Sequence, residues 1–417
     1  MKRRRRITAL VAVVLAATVA AVTGSAAAAP AVGTKSTATK LRIWVDNVQK
    51  PAVDRIGDVW GRQRGVTVTT VVKDFGKLRD DLKTVRPEDA PDVIIGPHDW
   101  VGELAANGLV VPLSPSRTVR AQFPAYSLDA FSYGTSVKRL YGIPFALENI
   151  GLIVNTRLAA VPRSFADFER RALAFKRKAS GNIAVAVPQG AGGDPYHMYP
   201  FFSGLCGYVF GKTKAGTLNP RDIGLRNPKF LRNSSLIDKW NRSGLLNSRI
   251  DYGAAKDAFL KGKAAYWITG PWETSALKES GLRLRIVQIP RNRCRSVPFL
   301  GVQGYMVTRF AATHGIESAA KDLVASYMMR AASQTALAGA NGRFPANRTA
   351  GRQVNDTVLL QFGRAGAGGV PMPNIPQMAA VWTELGGAWV KSTRGAGATR
   401  ARVAFMTAAR NIRTKIG

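Results

Sequence analysis

The alternation of strand-like and helix-like patterns over residues 40–108 constrains the fold more than any other feature of the sequence. Three runs alternate apolar and polar residues or are β-branched throughout, and three others place apolar residues at helical spacing. In chain order these runs are residues 40–46, 51–65, 66–72, 77–85, 92–95 and 100–106. The βαβαβα order predicts a parallel sheet covered by helices on both faces. Gly96–Trp100 then lies beyond the carboxyl end of a strand, where such sheets bind ligands.

The rest of the chain predicts a second mixed region and a helical last third. Residues 150–154 and 183–187 predict strands, residues 316–336, 379–390 and 400–416 predict helices, and the Gly-rich residues 363–369 predict a flexible connection. A chain of 417 residues is too long for one hydrophobic core, so we expect two domains or lobes.

The N-terminus has the pattern of an export signal. Five basic residues follow Met1, an apolar run spans residues 7–22, and small residues precede Pro30. The run is shorter than the roughly 20 residues that cross a bilayer. We expect residues 1–29 to be a cleaved signal peptide, with a retained signal-anchor as the alternative, and residues 30–39 to be a linker. The mature protein is then periplasmic or otherwise extracytoplasmic. No Cys lies near the cleavage region, so no lipoprotein anchor is expected.

The cysteines and histidines do not suggest a metal site. Cys206 and Cys294 are the only cysteines. Export permits a disulfide, but their separation gives no geometric sign that they meet, and separate buried thiols are the default. The three histidines show no ligand spacing. The glycine-rich segments do not match nucleotide-binding fingerprints, so no metal or cofactor is expected.

The charge raises nucleic acid as a partner. Lys and Arg number 60 against 26 Asp and Glu, which gives +34, or +29 once the five basic residues of the signal are removed. Past the signal these residues are dispersed and no reader motif accompanies them, so we expect no nucleic acid partner. Electrostatic association with an anionic cell envelope is the alternative use of the charge.

Aromatic and acidic residues at the ends of elements indicate sugar recognition. Aromatic rings cover the apolar faces of sugars, and carboxylates accept hydrogen bonds from hydroxyl groups. The candidates are Asp99, Trp100, Glu148, Asp194, Tyr196, Trp272 and Trp382. The alternative for each Trp is core packing, and for each carboxylate a helix cap or a solvated loop.

Four blocks of the sequence resemble one family. They are Lys40–Trp44, Pro91–Asp99, Gly270–Trp272 and Met372–Trp382. In these blocks the chain is similar to the maltose/maltodextrin-binding proteins of ABC importers, which belong to extracellular solute-binding protein family 1. The resemblance covers residues 40–417. It implies an α/β type II periplasmic-binding-protein-like fold, with two lobes joined by a hinge and the ligand in the cleft between them.

The resemblance also implies lobe boundaries and residue roles. The N-terminal lobe would comprise residues 40–147 and 303–352, and the C-terminal lobe residues 148–302 and 353–417. Asp99 and Glu148 would accept hydroxyl hydrogens from the first lobe. The second lobe would contribute Asp194, Tyr196, Trp272, Met372 and Trp382, with the two tryptophans as stacking platforms, and further candidates are Asp80, His197 and Tyr252. Gly96 stands where the family often has a stacking Trp, and Trp100 where it often has an Arg, which predicts a changed linkage or chain-length preference.

The resemblance implies a non-catalytic, monomeric receptor. It would bind a linear maltodextrin-type oligosaccharide and deliver it to the membrane permease of an ABC transporter. Two alternatives stay open on the sequence: a different oligosaccharide linkage, and a glycosidase that pairs carboxylates such as Asp99, Glu148 and Asp194 across a sugar.

Overall fold

The computed structural model describes residues 39–134, 137–340 and 342–417. The predicted signal peptide, residues 1–29, and most of the predicted linker lie outside the described residues. The strands are β1 (Thr39–Val45), β2 (Val66–Val72), β3 (Val93–Pro97), β4 (Ser132–Tyr133), β5 (Arg139–Leu140), β6 (Ile143–Asn149), β7 (Gly151–Asn155), β8 (Phe210–Lys212), β9 (Leu218–Ile223), β10 (Tyr266–Thr269), β11 (Leu284–Val287), β12 (Phe299–Val307), β13 (Phe344–Pro345) and β14 (Val370–Pro371).

Helices alternate with these strands. They are α1 (Lys50–Arg64), α2 (Leu78–Thr84), α3 (Val101–Ala106), α4 (Arg117–Arg120), α5 (Ala125–Ala130), α6 (Phe165–Arg177), α7 (Pro195–Gly204), α8 (Pro228–Asn233), α9 (Ser235–Ser243), α10 (Tyr252–Leu260), α11 (Thr274–Glu279), α12 (Phe310–Thr313), α13 (Glu317–Asp322), α14 (Ala331–Ala340), α15 (Arg348–Arg352), α16 (Thr357–Ala365), α17 (Met378–Thr393) and α18 (Ala401–Ile416). Short 3-10 turns at His98–Trp100 and Pro271–Glu273 follow β3 and β10. No helix of the described part of the chain is long and apolar enough to cross a bilayer.

The first βαβαβα segment forms as its pattern predicts. Pro51 occupies the first turn of α1, and Gly65 ends that helix in the left-handed conformation with φ 66°. β1 pairs in parallel with both β2 and β3. The sheet order is β13-β6-β12-β3-β1-β2, with β14 added beside β12. β12 runs antiparallel to β3 and β6, so this sheet is mixed.

Two large hydrophobic cores divide the molecule. The first core packs buried side chains of residues 41–146 with those of residues 302–346. The second core packs residues 150–299 with residues 370–412, and a smaller cluster around Trp267 adjoins it. The second core is built on the three-stranded sheet β10-β7-β11. Two cores with separate sheets are the two-lobe α/β arrangement that the resemblance implies.

The chain crosses between the cores along neighbouring strands. β6 ends at Asn149 and β7 begins at Gly151, so only Ile150 separates a strand of the first sheet from one of the second. β12 begins at Phe299 in the second core and enters the first core at Val302. β14 lies parallel to the start of β12. The lobe boundaries given above stay a prediction at the level of single residues.

Three element predictions differ from the structure. Residues 183–187 form one isolated bridge, Ala186 to Trp267, instead of a strand. Gly363 lies inside α16, so the glycine-rich segment is not a free connection along its whole length. The predicted helix over residues 316–336 is interrupted by a π-helical turn at Leu323–Tyr327, after which α14 begins at Ala331.

The default expectation of separate thiols is wrong, because Cys206 and Cys294 form a disulfide with their Cα atoms 5.2 Å apart. Cys206 follows the C-terminal end of α7, and Cys294 lies in the segment that leads to β12. The spacing along the chain could not show this, since the fold alone brings the two segments together.

Candidate functional site

Asp99 lies beyond the carboxyl end of β3, in the 3-10 turn His98–Trp100. Its side chain is buried, and its Oδ2 accepts a hydrogen bond of 2.9 Å from the indole Nε1 of Trp382. Its Oδ1 has no hydrogen-bond partner among the described residues. Burial raises the pKa of the Asp99 carboxyl to about 6, although the Trp382 indole and the Arg79 charge oppose this effect. The carboxylate therefore has one oxygen ready to accept a further hydrogen bond.

His98 holds this turn in place through hydrogen bonds at both of its ring nitrogens. Its Nδ1 accepts a 3.2 Å hydrogen bond from the Val302 amide, and its Nε2 donates to the Met372 carbonyl at 3.0 Å. These partners define the neutral tautomer, and burial lowers the pKa of His98 to about 4. The ring joins β3, β12 and the segment that carries Met372, whose side chain is buried in the second core.

Glu148 lies at the end of β6 and is held in a buried ion pair. Its Oε1 accepts from Gln303 Nε2 at 2.8 Å, and its Oε2 accepts from Arg343 Nε. The guanidinium carbon of Arg343 also lies 5.5 Å from the ring centroid of Trp272. Arg343 therefore neutralises the Glu148 carboxylate of β6 and contacts the ring of Trp272 in the turn after β10.

Helix α7 supplies the facing acidic and aromatic groups of the second lobe. Asp194 is the N-cap of α7 and accepts from the backbone N–H of His197 at 3.0 Å, and the Nδ1 of His197 lies 2.6 Å from its other carboxylate oxygen. Burial acts to raise the pKa of Asp194, but the charge and hydrogen bonds of His197 outweigh it and the pKa lies below its ordinary value. Tyr196 follows the cap, and its ring centroid lies 6.1 Å from that of Trp272.

The 3-10 turn after β10 presents Trp272. Its indole Nε1 donates to the Tyr252 hydroxyl at 2.5 Å, and that hydroxyl donates to Glu273. Tyr252 is the first residue of α10. These bonds fix the indole plane, which is what a stacking platform requires.

Trp382 projects from the first turns of α17 into an aromatic group. Its ring centroid lies 5.8 Å from that of Phe299, and Phe299 stacks on Tyr196 at 6.2 Å and on Tyr199 at 3.6 Å. Because Trp382 also donates to Asp99, this group connects the second lobe with the first. We call the combined set the cleft cluster: Asp99, Glu148, Asp194, Tyr196, His197, Tyr252, Trp272, Phe299, Gln303, Arg343 and Trp382.

The cleft cluster contains buried polar atoms without partners. Nine buried side-chain nitrogen or oxygen atoms of the described residues lack a hydrogen-bond partner, and four belong to this cluster. They are Asp99 Oδ1, Tyr196 OH, His197 Nε2 and Gln303 Oε1. A buried polar atom without a partner costs about 1–3 kcal/mol, so four such atoms beside aromatic rings favour a polar ligand that satisfies them.

Three predicted residues lie outside the cleft cluster: Trp100, Asp80 and Met372, whose side chain is buried in the second core. Trp100 is 7% exposed in the first core, with its ring 5.5 Å from that of Phe75. Gly96 makes room for it, since a Cβ there would lie 2.5 Å from the Trp100 ring. Asp80 lies on the surface of α2, 2.6 Å from the Lys83 ammonium. Its hydrogen bond to Lys83 lowers the pKa of Asp80 despite partial burial.

Three members of the cleft cluster were not predicted from the sequence. Gln303 is a polar residue in the middle of an apolar strand and is followed by Gly304, a pattern that could have marked it. Phe299 is indistinguishable from a core residue by pattern. Arg343 lies between α14 and β13, and no local signal separates it from the many other arginines of the chain.

One cavity borders the cleft cluster. It measures about 260 Å³ and is lined by Glu148, Pro271, Gly301 and Phe344 among others. Other cavities of similar or larger size, such as one of about 370 Å³ beside Pro112 and Lys321, lie away from the cluster. We assign the site by its chemistry, because four of the nine unpartnered buried polar atoms of the described residues lie together in the cleft cluster beside aromatic rings. The unpartnered indole nitrogens of Trp240, Trp267 and Trp389 also lie beside aromatic rings, but these three side chains are fully buried in the hydrophobic cores.

The two-core α/β fold is that of a solute-binding protein. The chain matches the family of bacterial extracellular solute-binding proteins over residues 60–358. It therefore belongs to that family.

Individual relatives are sugar-binding proteins. A galactooligosaccharide-binding protein of Bacillus subtilis is 27% identical over 84% of this chain and 83% of its own. The maltodextrin-binding protein MdxE of the same organism is 29% identical over 82% of each chain. A solved structure, the Thermus thermophilus maltotriose-binding protein bound with maltotriose, matches 90% of this chain and 100% of its own with a TM-score of 0.79 at 25% identity.

These relatives confirm that the chain belongs to the sugar-transport class. One of them also bears on the prediction that the chain has no lipid anchor. They are binding proteins and not enzymes, so the glycosidase alternative is set aside. A relative from Streptococcus pneumoniae R6, 26% identical over 85% of this chain and 84% of its own, is a maltooligosaccharide ABC transporter solute-binding lipoprotein. The expectation that this chain lacks a lipid anchor receives no support from such a relative and stays a prediction.

Proposed function

We propose that the protein is the extracytoplasmic receptor of an ABC importer for neutral, maltodextrin-type oligosaccharides. The observation that carries the proposal is the set of four unpartnered buried polar atoms beside the rings of Trp272, Trp382 and Tyr196. Sugar hydroxyls would satisfy these atoms, and the apolar faces of pyranose rings would pack on the aromatic side chains.

The charges of the cleft cluster favour a neutral ligand. Glu148 is paired with Arg343, and Asp194 is in contact with His197. Asp99 keeps a carboxylate whose free oxygen accepts hydrogen bonds and repels anions. An acidic sugar would therefore bring an unpaired negative charge into a buried site, at a considerable cost.

The α-glucan assignment rests on the block Met372–Trp382 and on relatives that bind maltodextrin and maltotriose. A galactooligosaccharide is the second candidate, because the relative that binds it covers as much of this chain. Gly96 and the buried Trp100 alter the surroundings of Asp99, and this change would adjust linkage or chain length. Delivery to a membrane permease and a monomeric state follow from the same proposal.

Calorimetric titration tests the ligand class. Maltotriose, a galactotriose and cellotriose are titrated separately into the exported protein. We expect maltotriose to bind at micromolar concentration or tighter, about −8 kcal/mol, and cellotriose to give no heat. Heat with galactotriose alone would replace the α-glucan assignment by the second candidate. Absence of heat with all three sugars would overturn the proposal.

Removal of a single hydroxyl tests the site. Tyr196→Phe keeps the ring and deletes one of the unpartnered polar atoms, so we expect about tenfold weaker binding. Tyr208→Phe is the matched control, because that hydroxyl donates to Asp222 at the β8–β9 hairpin. If the two variants bound the sugar with equal affinity, the ligand would not contact the Tyr196 hydroxyl and the site would lie elsewhere.

A further inference from the structure

One face of the first lobe concentrates positive charge that has no acidic partner. We define the basic face by Arg117, Arg120, Lys138, Arg139 and Arg348, none of which lies within 4.0 Å of a carboxylate oxygen in the described residues. Some cations elsewhere are paired, as Lys83 is with Glu103 at 2.9 Å. The unpaired cations of the basic face therefore project an uncompensated positive field.

Two adjoining cavities make the basic face continuous. Arg117, Arg120 and Arg348 surround a cavity of about 580 Å³ whose floor includes Phe123 and Leu128. Arg120, Lys138 and Arg139 line a second cavity of about 380 Å³. Because Arg120 belongs to both, the five cations form one surface.

Few acidic groups border this surface. Asp129 is exposed on α5, the helix that also carries Tyr126. Asp322 lines a neighbouring cavity, where its carboxylate is paired with Arg64 at 3.0 Å. The balance on the face remains strongly positive.

Exposed apolar side chains accompany the cations. Val137 is 69% exposed, the highest value among the exposed large hydrophobic residues of the described part of the chain, and it immediately precedes Lys138. Tyr126 is 49% exposed on α5, and the charge of Arg348 acts on its hydroxyl. Cations interleaved with exposed apolar and aromatic side chains are typical of surfaces that rest in the headgroup region of a bilayer.

We propose that the basic face docks the receptor on an anionic phospholipid surface. A neutral oligosaccharide would not be bound by these charges, and none of the five cations belongs to the cleft cluster. Phosphate headgroups would pair with the five cations, while Val137 and Tyr126 would enter the boundary between headgroups and acyl chains. A soluble phosphate polymer would satisfy the cations alone and leave the apolar side chains in water, so the lipid surface is the better fit.

Co-sedimentation with vesicles tests the proposal on the exported protein. Vesicles of phosphatidylglycerol and of phosphatidylcholine are compared at 0.05 M and 1 M NaCl. The test variant is Arg117→Gln/Arg120→Gln/Arg348→Gln. The matched control is Arg402→Gln/Arg410→Gln/Arg413→Gln, which removes three exposed arginines of α18 that have no ion pair in the described residues. Sugar titration of both variants serves as the folding control, because none of the six substituted arginines belongs to the cleft cluster.

We expect the protein to bind the anionic vesicles at low salt and to be released at 1 M NaCl, where screening acts within about 3 Å. The test variant should bind about 100-fold more weakly, because each basic residue near an anionic surface contributes about fivefold. The control variant should lose no more than about threefold. Val137→Asn, which changes no charge, should weaken binding about threefold.

Several results would overturn the proposal. If the two triple variants lost vesicle affinity equally, binding would depend on net charge and not on the basic face. Equal binding to phosphatidylcholine would remove the electrostatic argument. Binding to soluble poly(glycerol phosphate) without binding to phosphatidylglycerol vesicles would exclude a lipid surface. None of these results affects sugar binding, so the proposed function is tested separately.

Discussion

Asp99 is the residue of the cleft cluster whose hydrogen bonds and pKa bear most directly on the proposed sugar binding. One carboxylate oxygen accepts from Trp382, the other has no partner in the described residues, and burial raises the pKa of the group to about 6. The ionised form accepts hydroxyl hydrogens, whereas the protonated form loses acceptor capacity. Under the proposed function, proton binding and sugar binding would therefore compete at this side chain.

This competition predicts a pH dependence of affinity. Between pH 7 and pH 5 the ionised fraction of a group with a pKa near 6 falls about tenfold, so the sugar affinity should fall about tenfold. Titration calorimetry from pH 5 to pH 8 measures the change. Asp99→Asn should bind weakly with little pH dependence over this range, and an equally steep profile in that variant would assign the proton to another group.

The same pKa predicts the opposite trend for stability. The folded pKa lies above the unfolded value of about 3.9, so the folded state binds the proton more tightly. The contribution of Asp99 to the free energy of unfolding is lowest above pH 6 and rises as the pH falls from about 6 towards 4. Urea unfolding of the ligand-free protein and of Asp99→Asn isolates this contribution as their difference. A difference that does not change with pH would contradict the assigned burial effect.

The Arg343–Glu148 pair makes a second prediction at the scale of residues. The two side chains are 12% and 5% exposed, so removal of one partner leaves a buried charge. Arg343→Met should lower the free energy of unfolding by about 3–5 kcal/mol. The double variant Arg343→Met/Glu148→Gln should lose clearly less, because no charge is then stranded. Equal losses in the single and double variants, measured by urea unfolding, would show that the pair contributes by packing alone.

At the scale of elements, the sequence predicts structure well where local signals mark both ends. α1 has Pro51 in its first turn and Gly65 after its last, and β2 is β-branched, so both elements form where predicted. Residues 183–187 carry the same apolar pattern, but only Ala186 finds a bridge partner, at Trp267 in β10. Pairing of that kind depends on distant strands, which local pattern does not show.

Residues of the candidate site could likewise be predicted from the sequence only where a local signal marks them. Asp99 and Trp382 could be proposed because they stand at element ends within recognisable blocks, although sequence gave no sign of the hydrogen bond between them. Gln303 and Arg343 escaped prediction because their roles arise from Glu148, which lies 155 and 195 positions away. Trp100 lies in the first core because Gly96 leaves space for its ring. Side-chain direction in a turn depends on such neighbours.

The disulfide makes a prediction about α7, the helix that carries part of the cleft cluster. Cys206 follows α7, which holds Asp194 and Tyr196, and the bond closes a segment of 88 residues. Cys206→Ala/Cys294→Ala should lower the free energy of unfolding by about 2–4 kcal/mol. The unfolding midpoint in urea of the reduced wild-type protein should shift in the same direction. A wild-type protein whose midpoint is insensitive to reductant would contradict the presence of the bond.

At the scale of the whole molecule, polar contacts join the two lobes around the cleft. Trp382 of α17 donates to Asp99, and Asn374 donates to the carbonyl groups of Asp129, Ala130 and Ser132 at 2.9–3.3 Å. The stabilisation from each of these hydrogen bonds is small compared with that from either hydrophobic core. Hinge motion that breaks these contacts would open the cleft while both cores stay intact, as closure around ligands requires.

The whole molecule also predicts two binding modes with different salt dependence. The proposed sugar ligand carries no charge, and most charged groups of the cleft cluster are already paired with one another. The affinity of the protein for the sugar should therefore change less than twofold between 0.05 M and 1 M NaCl. Association with anionic vesicles depends on the unpaired cations of the basic face and should vanish over the same range. Maltotriose titration and vesicle sedimentation on one preparation measure both. If high salt weakened both equally, the net charge, +29 without the five basic residues of the signal, would act on the sugar site as well, and the assignment of separate surfaces would be wrong.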